Sequence, residues 1–96
     1  MSDHTANALA KLELLAPILT GLPRTPDTER VCEEMDALRR AVSAFHLEAI
    51  RFRMFNVERA ILKGGDTYPP ETKERFAELR KALEEAGFHT RSHAAP

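Results

Sequence analysis

The side chains able to do chemistry in this sequence are four histidines, one cysteine and a set of arginines, and their spacing limits each of them. His89 and His93 lie four apart, as two metal ligands on one helix face would. Gly87 precedes them and marks a helix end, and neither His4 nor Glu85 completes a ligand pattern, so no metal site is assigned. There is no Glu-x-x-His to suggest a carboxylate-bridged metal pair. Cys32 sits among Glu29, Glu33 and Glu34, a poor setting for a thiolate nucleophile, and reads as a half-buried packing residue. His46 stands alone near the middle of a long apolar-patterned stretch and reads as a surface or groove histidine. Next to a symmetry mate it would instead make a pH-sensitive contact. No phosphate-binding loop, dinucleotide glycine motif or nucleophile elbow is present. No catalytic residue is assigned and no cofactor is expected.

The arginines are the richest remaining chemistry. Arg39, Arg40, Arg51, Arg53 and Arg59 share one stretch, and Arg24 precedes it. Arg40 and Arg51 are eleven apart, about three helical turns, and so lie on roughly one face. Acids are interspersed with them, which favours a solvated, salt-bridged surface. Arg51-Phe52-Arg53-Met54-Phe55 mixes basic and aromatic residues as an RNA-contacting strip would, but on a helix these side chains diverge and form no stacking platform. The balance of 14 basic against 15 acidic residues, a net charge of -1, also argues against nucleic acid as a partner.

The elements that must position these groups are helical. Two loop signals divide the chain, Thr20–Pro26 and Gly64–Pro70, and no stretch alternates with the period of a strand. A first helix is expected from about residue 5 to 20, with Gly21 in the left-handed conformation at its end. Pro17 should kink or break it near Glu13–Ala16, because proline removes a backbone bond and crowds the preceding turn. A second helix is expected from about residue 26 to 63, capped by Thr25 with Pro26 in its first turn; neither Gly nor Pro interrupts it. Its length of about 38 residues corresponds to roughly 57 Å. A third helix covers about residues 70 to 86, with Glu71 and Arg75 paired one turn apart. Residues 1–88 form one helical domain, and 89–96 are expected to be a disordered tail.

The long helix carries two apolar stripes. Val31, Met35, Leu38, Val42, Phe45, Ala49 and Phe52 alternate steps of four and three, the spacing of a coiled-coil seam. Leu47, Ile50, Met54, Val57 and Ile61 form a second stripe, roughly 130° away at about 100° per residue. Phe55 and Leu62 add a third apolar side. Two short helices cannot cover all of this, so a homodimer through the first stripe is expected. The alternative is a monomeric bundle in which the long helix breaks near its middle. From Asp27 to Arg40 three bases face five acids, a net of -2; from Ala41 to Lys63 four bases face two acids, a net of +2. Antiparallel copies would set these halves against each other.

The fold class expected is therefore all-α, a long central helix flanked by two shorter ones in a helical-bundle homodimer. The function expected is a protein-interaction module (an adaptor, regulator or assembly factor) that self-associates antiparallel and binds another protein. Tyr68, Pro69 and Pro70 are the candidate partner contact. The single cysteine and the lack of a signal-peptide pattern point to the cytoplasm, and no apolar run approaches the ~20 residues of a membrane span. An all-helical dimer with arginines on a long helix resembles, in architecture, the small helical chorismate mutases. That resemblance extends over the long helix. It implies a small-molecule enzyme or binder with an anionic, dicarboxylate-like ligand held by Arg40, Glu48 and Arg51. The last helix would complete the site from Lys73, Glu78, Arg80 and Glu84. Arginines converging in a pocket without carboxylate partners would favour this second reading; arginines exposed or paired with acids would favour the first.

Overall fold

The computed structural model describes residues 3–88, all of it helix and connecting turn. Four helices follow in order: α1 (Asp3–Thr20), α2 (Pro26–Ala44), α3 (Leu47–Gly64) and α4 (Glu71–Glu85), with a 3-10 turn at Gly65–Thr67 before α4. The expected tail, 89–96, lies outside the described residues. α1 packs most extensively on α4, and α2 lies against both α3 and α1. α3 meets α4 only slightly, so α2 is its one broad neighbour among the described residues.

The start of α2 follows from its sequence. Thr25 Oγ1 accepts from the Thr28 N–H at 3.1 Å, and Thr28 Oγ1 accepts from the Thr25 N–H at 2.8 Å. This reciprocal pair satisfies two amides that the first helical turn leaves without partners. The Thr28 hydroxyl also donates to the Pro23 carbonyl at 2.7 Å, which ties the preceding loop to the helix.

The long central helix expected over 26–63 is two helices. The chain reverses at Phe45, which adopts the left-handed conformation (φ 47, ψ 48). The Phe45 N–H donates to the Val42 carbonyl and the His46 N–H to the Ala41 carbonyl, both at 3.0 Å. That pairing closes α2 as a Schellman motif, a role usually given to glycine. His46 then starts α3: its backbone is extended, and its Nδ1 accepts from the Ala49 N–H at 3.3 Å. A non-glycine residue in this conformation costs about 1–2 kcal/mol. The return is larger. Folding back turns Val31, Met35, Leu38 and Val42 of α2 and Ile50, Met54, Val57 and Ile61 of α3 into one core, all of them 3% exposed or less. Each such side chain contributes about 1.5–3 kcal/mol when buried. An unbroken helix would have left one stripe in water.

α1 continues through Pro17 to Thr20, so of the kink or break expected near Glu13–Ala16 the break is absent. Ala16 and Leu19 are buried on either side of the proline, and this packing keeps the last turn helical. The Pro17 carbonyl accepts from the Gly21 N–H at 3.0 Å, and Gly21 does not take the left-handed conformation. Gly87 does, at φ 103, and the Phe88 N–H returns to the Leu83 carbonyl at 2.9 Å. That ending folds Phe88 into the core, where it is 1% exposed. Arg75 pairs with Glu78 at 3.0 Å, not with Glu71.

The turn at His46 offers a direct test. A stronger cap should stabilise the hairpin, because it favours the chain reversal over a continuous helix. His46→Asp places a carboxylate at a helix N-terminus and should raise the stability by roughly 0.5–1 kcal/mol, while His46→Ala should lower it by a similar amount. Urea denaturation at neutral pH measures both.

Candidate interaction surface

The residues expected to form a dimer seam are divided by the fold. Val31, Met35, Leu38 and Val42 are buried within the chain, Phe45 and Ala49 are half-buried against the same core, and Phe52 is 56% exposed. Phe52 is joined on the outside of α3 by Phe55 (55% exposed) and Leu62 (62% exposed). These positions, three and seven apart, share the face of α3 opposite Ile50, Met54, Val57 and Ile61. The third apolar side noted in the sequence is thus the one the bundle leaves uncovered.

Charged side chains frame this face. The Arg53 guanidinium lies 5.0 Å from the Phe52 ring centre, and that of Arg59 lies 5.5 Å from the Phe55 ring centre. Such contacts are worth about 0.5–1 kcal/mol when exposed. Arg53 also reaches α2: its Nη1 donates to both Glu34 carboxylate oxygens at 3.0 and 3.2 Å, and Asn56 Nδ2 donates to Glu34 at 3.2 Å. Glu48 opens the face in the first turn of α3 and Lys63 closes it in the last.

The arginines expected to clamp an anion differ in their surroundings. Arg40 is exposed and makes no ion pair among the described residues. Arg51 lies 3.6 Å from Glu48, and its guanidinium stands 5.8 Å from the Phe88 ring centre. Arg39 is bound bidentately by Glu13 of α1, at 2.6 and 3.1 Å, and by Asp36 at 2.8 Å. Hydrogen bonding to Glu13, then to Asp36, outweighs burial and holds the Arg39 charge more firmly than in water. Of the α4 side chains considered for the same site, Arg80 is held by Glu58 of α3 at 2.7 Å and Glu78 by Arg75 at 3.0 Å.

Cys32 is half-buried and free, with its Sγ 3.8 Å from the Leu19 carbonyl. Among the described residues no three His, Cys, Asp or Glu side chains gather as metal ligands, and no helix is long and apolar enough to cross a membrane.

Tyr68, expected to meet a partner, is turned inward and is 7% exposed, while Pro69 is half-buried and Pro70 exposed. Its ring packs so closely on Gly64 that a Cβ there would overlap it. A groove of about 800 Å³ runs between the start of α2 and the end of α3, with Val31, Ala60 and Tyr68 in its lining and Arg30, Arg59 and Lys63 among its charged groups.

No protein-family model matches the chain, and no curated protein or solved structure matches it either. The resemblance to the small helical chorismate mutases therefore has no support from a relative.

Tyr68 gives a spectroscopic probe of this corner, because it is the only tyrosine and there is no tryptophan. Desolvation, with Asp27 and Cys32 nearby, raises its pKa above the ordinary value of 10.0. Above that pH the unfolded chain gives up the phenolic proton first. The folded state then holds more protons, and stability falls as pH rises. Tyr68→Phe should remove this component of the alkaline loss. Gly64→Ala, which by helix propensity alone would stabilise by about 1 kcal/mol, should instead destabilise by roughly 1–3 kcal/mol and return the tyrosinate titration toward its ordinary range.

Proposed function

We propose that this chain is a small helical protein-interaction module, an adaptor, regulator or assembly factor of the cytoplasm, that works by presenting the outer face of α3 to another macromolecule. The observation that carries this reading is the row of Phe52, Phe55 and Leu62. Three large apolar side chains stand together in water on a helix whose one broad neighbour among the described residues is α2, while Ile50, Met54, Val57 and Ile61 on its other side are buried. Contiguous exposed apolar surface on a helix is the usual form of a helix-in-groove or self-association site. The arginines support the same reading over an anion-binding enzyme. Arg39, Arg53 and Arg80 are committed to carboxylates of the chain, Arg51 has a loose contact with Glu48, and Arg40 is exposed.

The test replaces Phe55 with a photo-crosslinking phenylalanine analogue and irradiates the full chain in native extract. A discrete adduct is expected. It should vanish when Phe52→Ser and Leu62→Ser are added, changes that should cost the isolated protein little because both positions are exposed. An adduct pattern indifferent to those two substitutions would remove α3 from the interaction and with it this proposal.

A further inference from the structure

The outer face of α3 has a polarity that names its occupant. At about 100° per residue, Glu48, Phe52, Phe55, Arg59, Leu62 and Lys63 fall within roughly 100° of the helix surface. The acid lies at one end, the bases lie toward the other, and the rings lie between. Arg59 and Lys63 have no carboxylate within ion-pair distance among the described residues, and Glu48 has only the loose contact with Arg51 at 3.6 Å. These end charges are available to a partner.

We propose that this face pairs with the same face of a second copy of the chain, antiparallel, about a twofold axis between Phe55 and Asn56. The proposal rests on the reading of α3 as a contact surface and specifies what covers it. In this register the order of residues is self-complementary. Glu48 meets Lys63 of the second copy, and Phe52 meets Arg59 of the second copy. The two Phe55 rings stand side by side at the axis. Each charge contact occurs twice, as an isologous interface requires. The parallel arrangement sets Glu48 on Glu48 and Lys63 on Lys63, which like-charge repulsion disfavours. Phe52–Arg59 contacts across the axis repeat the ring-and-guanidinium pairing that Arg53 and Arg59 already make within one chain. One helix from each copy buries less than the standard interface of about 1,600 Å², so the dimer is weak and concentration-dependent.

Two measurements on the full chain decide it. The first is sedimentation equilibrium over a wide concentration range. Phe55→Glu should abolish self-association while leaving the helical circular dichroism unchanged, since Phe55 is exposed. Glu48→Lys alone and Lys63→Glu alone should each weaken the dimer about tenfold, because each opposes like charges at both ends. The double swap should restore it to within about threefold of the original. The second is zero-length carbodiimide coupling. Glu48 and Lys63 are fifteen residues apart on one straight helix, about 22 Å, so a peptide linking them comes only from two copies. That link is expected in the original protein and should be lost in Phe55→Glu. A chain that remains monomeric up to millimolar concentration, a double swap no better than the single swaps, or the absence of the Glu48–Lys63 link would overturn the proposal. In any of those cases an adduct to a different protein in the extract experiment would leave the interaction role of α3 standing, with that protein as its occupant.

Discussion

The chain reversal at Phe45 and His46 is the constraint from which the rest of this structure follows. Two apolar stripes on one continuous helix would point about 130° apart, and no single neighbour can cover both. Breaking the helix between them lets each stripe serve as the other's partner. The left-handed Phe45 is tolerated because the strain of about 1–2 kcal/mol is small beside the burial of eight aliphatic and methionine side chains. Once α2 and α3 are antiparallel, α1 and α4 need only close the remaining side of the core, which they do while packing chiefly on each other, with α1 also against α2 and α4 lightly against α3.

The same reversal redirects the electrostatics. The acidic first half of the stretch and its basic second half are complementary, and in the folded chain they meet within one molecule. Glu34 of α2 accepts from Arg53 and Asn56 of α3. Arg39 joins α2 to Glu13 of α1, and Arg80 joins α4 to Glu58 of α3, so three inter-helix ion pairs stitch the bundle from outside. Pairs this exposed add little stability, about 0–1 kcal/mol each, and act mainly on register. A net charge of -1 thus conceals a set of internally matched charges whose unmatched members, Arg40, Arg59 and Lys63 among them, mark where the surface is free to do something else.

Much of the fold is legible in the sequence, and the place where legibility ends is physically specific. The all-α class, the Thr25–Pro26 start, both loop signals and the last helix all follow from capping chemistry and apolar spacing. The break in the long helix does not, because helix ends are recognised by Gly and Pro, and this one is made by Phe45 and capped by a histidine nitrogen. The information was present in another form: two stripes too far apart for one neighbour. Continuity through Pro17 was hidden for the converse reason. Local propensity points to a kink or a break, and with Ala16 and Leu19 buried the helix does not break. Of the candidate site, spacing groups Phe52 with Val31, Met35, Leu38 and Val42, which the fold buries, and shows Phe55 and Leu62 only as a surplus. Which apolar side of a helix stays in water depends on the number of its neighbours, and spacing along one helix does not reveal that number. Tyr68 shows the same limit. A tyrosine in a proline-rich loop looks like a surface contact until the close approach of Gly64 gives its ring a place inside.

Three large exposed apolar side chains are a liability for a small protein, and the arginines beside them explain how it is carried. Arg53 over Phe52 and Arg59 over Phe55 lay polarizable, weakly hydrated cations along the rings and keep the face compatible with water. The cover is not a lock. Exposed ring–guanidinium contacts are worth about 0.5–1 kcal/mol, rising to about 2 when water is excluded. A partner that desolvates the face therefore strengthens the contacts that shield it in the free chain. The two arginines differ in what else holds them. Arg53 is also held by Glu34, whereas Arg59 has no carboxylate within ion-pair distance among the described residues. The half of the cover without an ion pair thus lies toward the basic end of the helix, next to Leu62 and Lys63.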